Sequence, residues 1–134
     1  MAEGFKFELV SPERLLVSKE VEAVVIPGAD GEMTVLAQHA PTMTTIKPGV
    51  VTVKPVAGAE ERYVVFGGFA DILPEGCTLL AESAVAVKDI DRNELSQRIS
   101  NAKEDVADAK SDAMRTRAEQ YLAHLTTLEA ALAA

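Results

Sequence analysis

The sequence predicts an N-terminal antiparallel β-sandwich over residues 1–88 and a C-terminal antiparallel two-helix hairpin over residues 89–134. Three observations carry this. Every proline lies at or before Pro74 and every glycine at or before Gly76, and these residues punctuate turns. Within that turn-rich part, apolar and polar residues alternate with a period of two. After it, the apolar spacing changes to steps of three and four.

Phe5, Phe7 and Leu9 alternate with Lys6 and Glu8, which sets the three apolar side chains on one sheet face. Val21, Ala23 and Val25 repeat the pattern and end at Pro27-Gly28. Val51 and Val53 alternate with Thr52 and Lys54, and Tyr63 and Val65 lead into Gly67-Gly68, a pair expected at a bulge or a close backbone approach. Leu79 with Ala81, then Val85 with Val87, complete the series. Turn signals separate the runs: Pro27-Gly28, Asp30-Gly31, Pro48-Gly49, Gly58 and Pro74-Glu75-Gly76. Val24-Val25-Ile26 and Val64-Val65-Phe66 are apolar on both faces, which suits central strands. Many short strands without an intervening helix pattern indicate a sandwich or barrel.

Leu95, Ile99, Ala102, Val106 and Ala109 form the apolar stripe of a first helix. Asp91 can cap it, with Glu94 three residues on as the partner of a capping box. Lys110-Ser111-Asp112 is the polar break, and Met114, Ala118, Tyr121, Leu125, Leu128 and Leu132 mark a second helix of about 20 residues, roughly 30 Å long. Both stripes are narrow and rich in alanine, so the hairpin is expected to depend on docking to the sandwich or to another subunit.

Composition narrows the functional classes. Aromatic residues are 4% and Trp is absent, so the core must be aliphatic. A net charge of −8 argues against nucleic acid, whose phosphates need clustered Lys and Arg, and against a basic lipid-binding patch. One cysteine, Cys77, excludes an internal disulfide and a cysteine-based zinc site. Met1-Ala2-Glu3-Gly4-Phe5 does not read as a signal peptide. No apolar run reaches the roughly 20 residues that span a bilayer, so no direct membrane insertion is expected.

No catalytic constellation emerges. His39 and His124 stand apart, without metal-ligand company. His39 lies in Gln38-His39-Ala40-Pro41, where a turn histidine bonded to backbone is the plain reading and a subunit contact the sharper one. Pro27 to Glu32 lacks the Lys-Ser/Thr ending and following helix of a phosphate loop, so a hairpin turn explains it better. Cys77 reads as a small packed residue. The expectation is a protein that is no enzyme, with no metal and no cofactor.

Six short motifs in order add to this reading. They are Phe7-Glu8-Leu9-Val10-Ser11-Pro12-Glu13-Arg14; Pro27-Gly28-x-x-Gly31-Glu32, with Leu36 and His39-Ala40-Pro41 behind it; Ile46-Lys47-Pro48-Gly49-Val50; Gly67-Gly68-Phe69; and Leu80-Ala81-Glu82-x-Ala84. Almost end to end, the series resembles the epsilon subunit of bacterial F-type ATP synthases, called delta in mitochondria. The resemblance implies a sandwich followed by a helical hairpin. It implies a non-catalytic rotor subunit at the foot of the central stalk. Its partners would be the gamma subunit and the membrane c-ring, with contact to the alpha and beta subunits through the hairpin. The location would be the cytoplasmic face of the bacterial inner membrane. The ring-facing end would comprise Gly28, Ala29, Asp30, Gly31 and Glu32 with His39.

Two departures from the family pattern qualify its regulatory side. Several bacterial members bind ATP through Ile/Leu-Asp-x-x-Arg-Ala at the start of the first helix. Here Ile90 and Asp91 match, but Glu94 stands in place of Arg and Leu95 in place of Ala. A carboxylate in place of a phosphate-pairing cation repels the nucleotide, so ATP binding is not expected. Some members inhibit ATP hydrolysis by extending a basic second helix into the catalytic head. Here no Lys or Arg follows Arg117, so inhibition is expected to be weak or absent. An ATP-sensing regulator acting through the hairpin is the alternative, and an unrelated adaptor the third reading.

Overall fold

A computed structural model of the protein describes residues 4–133. The chain divides into two compact units, Met1–Val87 and Lys88–Ala134.

The first unit holds β1 (Phe5–Val10), β2 (Leu15–Gly28), β3 (Gly31–Leu36), β4 (Thr42–Pro55), β5 (Glu61–Leu73), β6 (Gly76–Ala81) and β7 (Ala84–Ala86). The hydrogen-bonded order is β1-β6-β5-β4-β2-β3, and β1 also pairs with β2. That extra pairing closes the sheet on itself, so the sandwich is a flattened barrel, and closure removes most exposed edges. The ladders are antiparallel except β1–β6, which is parallel because β1 is the strand that closes the circuit. Alternation works as expected in β1: Phe5, Phe7 and Leu9 are buried and Lys6 is exposed. They join Val21, Val24, Ile26, Val51, Val53, Ile72 and Leu79 in an aliphatic core with few rings. Among the described residues, no polar or charged residue is buried.

The three longest strands run 13 or 14 residues, more than the sequence pattern suggests. Pro48-Gly49, expected as a turn, lies inside β4, with Pro48 opposite Phe66 and Gly49 opposite Val65. Proline is tolerated there for a geometric reason. Phe66 donates its N–H to Ser83 on the far side, at 3.0 Å. Pro48↔Phe66 is therefore a non-hydrogen-bonded pair, and the missing N–H of Pro48 faces β2. On that side the β2–β4 register breaks between Val25 and Gly28, so no ladder bond is lost.

Gly67-Gly68 belongs to the same feature. The β4–β5 register runs unbroken past the pair, so it is no bulge against β4. Gly67 and Gly68 have φ of 117° and 144°. A Cβ on Gly68 would lie 2.2 Å from the Leu80 carbonyl oxygen. The alternative expectation, a close backbone approach, is what occurs. β6 and β7 face β5 in one continuous register, interrupted by a bend at Glu82-Ser83. Pro48-Gly49, Gly67-Gly68 and Glu82-Ser83 thus lie side by side on neighbouring strands.

The second unit holds α1 (Arg92–Asp108) and α2 (Asp112–Ala133). A short 3₁₀ turn, Val87–Asp89, precedes it. Asp91 caps α1: its carboxylate accepts the N–H of Asn93 at 2.8 Å and of Glu94 at 3.3 Å. The reciprocal arm of the expected capping box goes elsewhere, since the Glu94 carboxylate lies 3.6 Å from Arg98. Ser111 caps α2, its hydroxyl accepting the Met114 N–H at 3.1 Å. Asp112, expected in the break, is the first residue of the helix. Leu95, Ile99 and Ala102 are the buried residues of α1, and Leu125, Leu128 and Leu132 those of α2.

Candidate functional site

Two loops of the sandwich carry the residues singled out for partner contact. Gly28 and Gly31 pair across the β2–β3 hairpin, leaving Ala29 and Asp30 as its tip. Neither tip residue has a positive φ; Gly31, at 131°, absorbs the reversal. Ala29, Asp30 and Glu32 are exposed, whereas Gly28 is buried. The tip is held from behind, because the Ala29 N–H donates to the Thr45 carbonyl at 3.0 Å.

His39 lies on the separate β3–β4 connection. Gln38, at φ 65°, turns the chain there, and its N–H donates to the Pro74 carbonyl at 3.0 Å. The His39 ring Nδ1 lies 2.7 Å from the Ala40 carbonyl, which also accepts the Thr42 hydroxyl at 3.0 Å. This is the backbone-bonded turn histidine of the plain reading. The tip and the turn are brought to the same strand but not into contact. One is anchored at Thr45 and the other enters β4 at Thr42, about 10 Å of strand apart. The arrangement offers two carboxylates and an imidazole on loops each held by a backbone hydrogen bond, suited to fixing orientation against a basic surface rather than to chemistry.

The residues of the degenerate nucleotide motif are occupied structurally. Asp91 is the α1 cap, Leu95 is 1% exposed, Glu94 faces Arg98, and Ile90 is half-buried. Arg92, the one cation inside the motif, donates through Nη2 to the Leu132 carbonyl at 2.9 Å. Sequence reading missed this bond. Its only trace was the three-residue spacing from Arg92 to Leu95, which sets the exposed Arg92 at the end of the buried stripe.

A second polar group was also missed. Lys19 of β2 pairs with Glu61 of β5, and the Tyr63 hydroxyl donates to the same carboxylate at 2.9 Å. Burial first, then the hydrogen bond to Glu61 and its charge, push the Tyr63 hydroxyl up to about 12. Burial, and secondarily the charge of Asp71, push the Cys77 thiol up to about 12. Such a thiol stays protonated and unreactive at neutral pH. Among the described residues, no three His, Cys, Asp or Glu converge as a metal would need. No helix there is long and apolar enough to cross a membrane.

A closed sandwich joined to a capped helical hairpin, with its polar side chains engaged in caps, turns and strand pairs, defines a structural class of protein. Comparison with known proteins gives the family. Residues 4–87 match the family described as the ATP synthase Delta/Epsilon chain beta-sandwich domain, and residues 91–134 match that of the C-terminal domain of the ATP synthase epsilon chain. The ATP synthase epsilon chain of Mesorhizobium japonicum is 76% identical over 132 residues, 98% of either protein. That of Rhizobium meliloti is 65% identical over 128 residues, covering 96% of this chain and 95% of the relative. A chain of the Euglena gracilis mitochondrial ATP synthase, solved by cryo-EM as an OSCP/F1/c-ring assembly, superposes with a TM-score of 0.75 at 28% identity. The match covers 96% of this chain and 81% of that one. A chain of the Tetrahymena thermophila central stalk/c-ring structure superposes at 0.72 with 10% identity, over 95% of this chain and 97% of that one, which shows the shared fold alone. The protein belongs to the ATP synthase epsilon chain family and is a non-catalytic subunit.

Proposed function

We propose that this protein is a central-stalk rotor subunit that links the gamma subunit to the membrane c-ring and so couples proton flow to ATP synthesis. The observation that carries the reading is the end-to-end likeness to a bacterial epsilon chain at 76% identity, through both domains. The cryo-EM relatives come from assemblies that contain a c-ring. The role asks the sandwich to transmit torque without yielding, and a closed, densely packed aliphatic core is poorly compressible. Asp30 and Glu32 on the hairpin tip, with His39 on the neighbouring turn, are the proposed ring contacts, presented by Gly28, Ala29 and Gly31. The subunit would sit on the cytoplasmic face of the bacterial inner membrane, held there by its partners.

The hairpin domain, residues 89–134, is proposed to touch the alpha and beta subunits without strong inhibition, because no Lys or Arg follows Arg117. The domain boundary at residue 88 sets the test. The full-length protein and a truncation ending at Asp89 are each co-expressed with gamma, and complexes are resolved by size exclusion. Both forms are expected to co-elute with gamma. Failure of both would remove the rotor reading and leave an adaptor. Failure of the truncation alone would move the gamma contact into the hairpin.

A further inference from the structure

The two ends of the hairpin are built differently. Toward the link, Met114 is 47% exposed and Val106 and Ala109 are half-buried. The fully buried residues gather toward the other end, where α1 starts and α2 finishes. That end is open, with no peptide link joining the helices, and it is where a hairpin frays. The last carbonyls of α2 lack intrahelical donors, and the helix dipole gathers partial negative charge on them. Yet the last turn has no basic residue, and Glu129 adds a carboxylate one turn earlier. The missing cation comes from the other helix. Arg92, in the first turn of α1 and 40 residues away, donates to the Leu132 carbonyl at 2.9 Å.

We infer that Arg92 is a latch: a charge-assisted cap, supplied by the first turn of α1 to the end of α2, that closes the hairpin without any ligand. The same side chain is the one cation within the Ile90–Leu95 motif. Committed to a carbonyl, it is withheld from a phosphate, and the work of holding the helices together passes from nucleotide to protein. The inference rests on the geometry of the hairpin and not on the rotor reading.

The test is amide hydrogen exchange on the full-length protein, read by mass spectrometry. Arg92→Met keeps the apolar stem and removes the charge and the donors; Arg92→Lys keeps the charge but not the planar fork. In Arg92→Met the amides of residues 128–132 are expected to exchange about three- to tenfold faster. Arg92→Lys should fall between it and the parent, and the β-strand amides should not change. About 1 M salt should narrow the gap between parent and Arg92→Met, because a charge–dipole attraction is screened and packing is not. Saturating Mg-ATP should leave the parent unchanged. Equal exchange in Arg92→Met and parent would overturn the latch, as would a gap indifferent to salt. Slowing of the parent by ATP would overturn closure without a ligand. Co-elution with gamma does not enter these readings, so the two proposals fail separately.

Discussion

Among the glycines of the sandwich, Gly68 leaves the least room for a side chain, and its tightness has a cause that can be separated from its backbone angle. A Cβ there would meet the Leu80 carbonyl oxygen at 2.2 Å, and a backbone atom cannot move aside as a side-chain tip can. Gly31 has a similar φ, 131° against 144°, but nothing lies within 4 Å of its would-be Cβ. Gly31→Ala should therefore cost strain alone, about 1–2 kcal/mol, and Gly68→Ala at least about 3 kcal/mol. Urea unfolding followed by circular dichroism ranks them; equal losses would mean that conformation, not contact, decides. The buried Cys77 and the half-buried Tyr63 give a second expectation at this scale. Cys77 is raised from 9.0 and Tyr63 from 10.0, each to about 12. Both are neutral when folded, so above pH 9 the unfolded chain releases protons that the folded chain keeps. The stability they confer is fully present below pH 9 and is lost as pH rises toward 12. Melting temperatures should decline from about pH 9 in the parent and from nearer pH 10 in Cys77→Ala. An identical onset in both would remove Cys77 from the account.

At the scale of elements, the pairing of β4 with β5 explains both what the sequence revealed and what it hid. Alternation in β1 and the two-sided apolar runs in β2 and β5 located the strands correctly. Pro48-Gly49 misled, because a proline-glycine pair has the same composition whether a chain reverses or a long strand runs on through it. Only the pairing partners, Phe66 and Val65, distinguish the cases, and they lie across a ladder that the local pattern does not contain. The same limit hid the polar ties. Lys19 and Glu61 are 42 residues apart and Arg92 and Leu132 are 40, distances at which nothing in a window of sequence announces a bond. Caps are local and were legible: Asp91 was expected and found. The acidic tip and the His39 turn were legible as loops, though not as two loops fixed to one strand. Because the Asp91 cap satisfies two N–H groups, Asp91→Ala should cost about 1 kcal/mol of α1 stability. Glu94→Gln, which loses one exposed pair with Arg98, should cost at most about 0.5 kcal/mol. Exchange rates of the α1 amides measure both, and a larger effect from Glu94→Gln would show that its carboxylate does more than pair along the helix.

For the whole molecule, the question is how an acidic protein of net charge −8 divides its contacts between two units. The sandwich presents Asp30 and Glu32 on a braced tip, so reversing both to Lys should weaken c-ring binding while sparing gamma. Exposed pairs contribute about 0–1 kcal/mol each, so loss of the two pairs weakens binding by about thirtyfold at most, shrinking as salt rises. Unchanged ring affinity would place the contact elsewhere. The hairpin poses the opposite problem, that of a helix with little charge for the inhibitory extension into the catalytic head that the family resemblance raises. Gripping an acidic surface in the catalytic head needs cations, and α2 has Arg115 and Arg117 near its start and none after them. Arg115 is partly engaged by Asp112 at 3.2 Å. Extension would also break the Arg92 bond to Leu132 and expose Leu125, Leu128 and Leu132, a cost that no new ion pair near the tip offsets. Removing the hairpin should therefore change ATP hydrolysis by the reconstituted head less than about twofold. A gain of tenfold or more, worth about 1.4 kcal/mol of barrier, would mean that the helix binds the head through apolar contacts rather than charge. In that case its buried leucines, and not its missing lysines, would be the residues to change next.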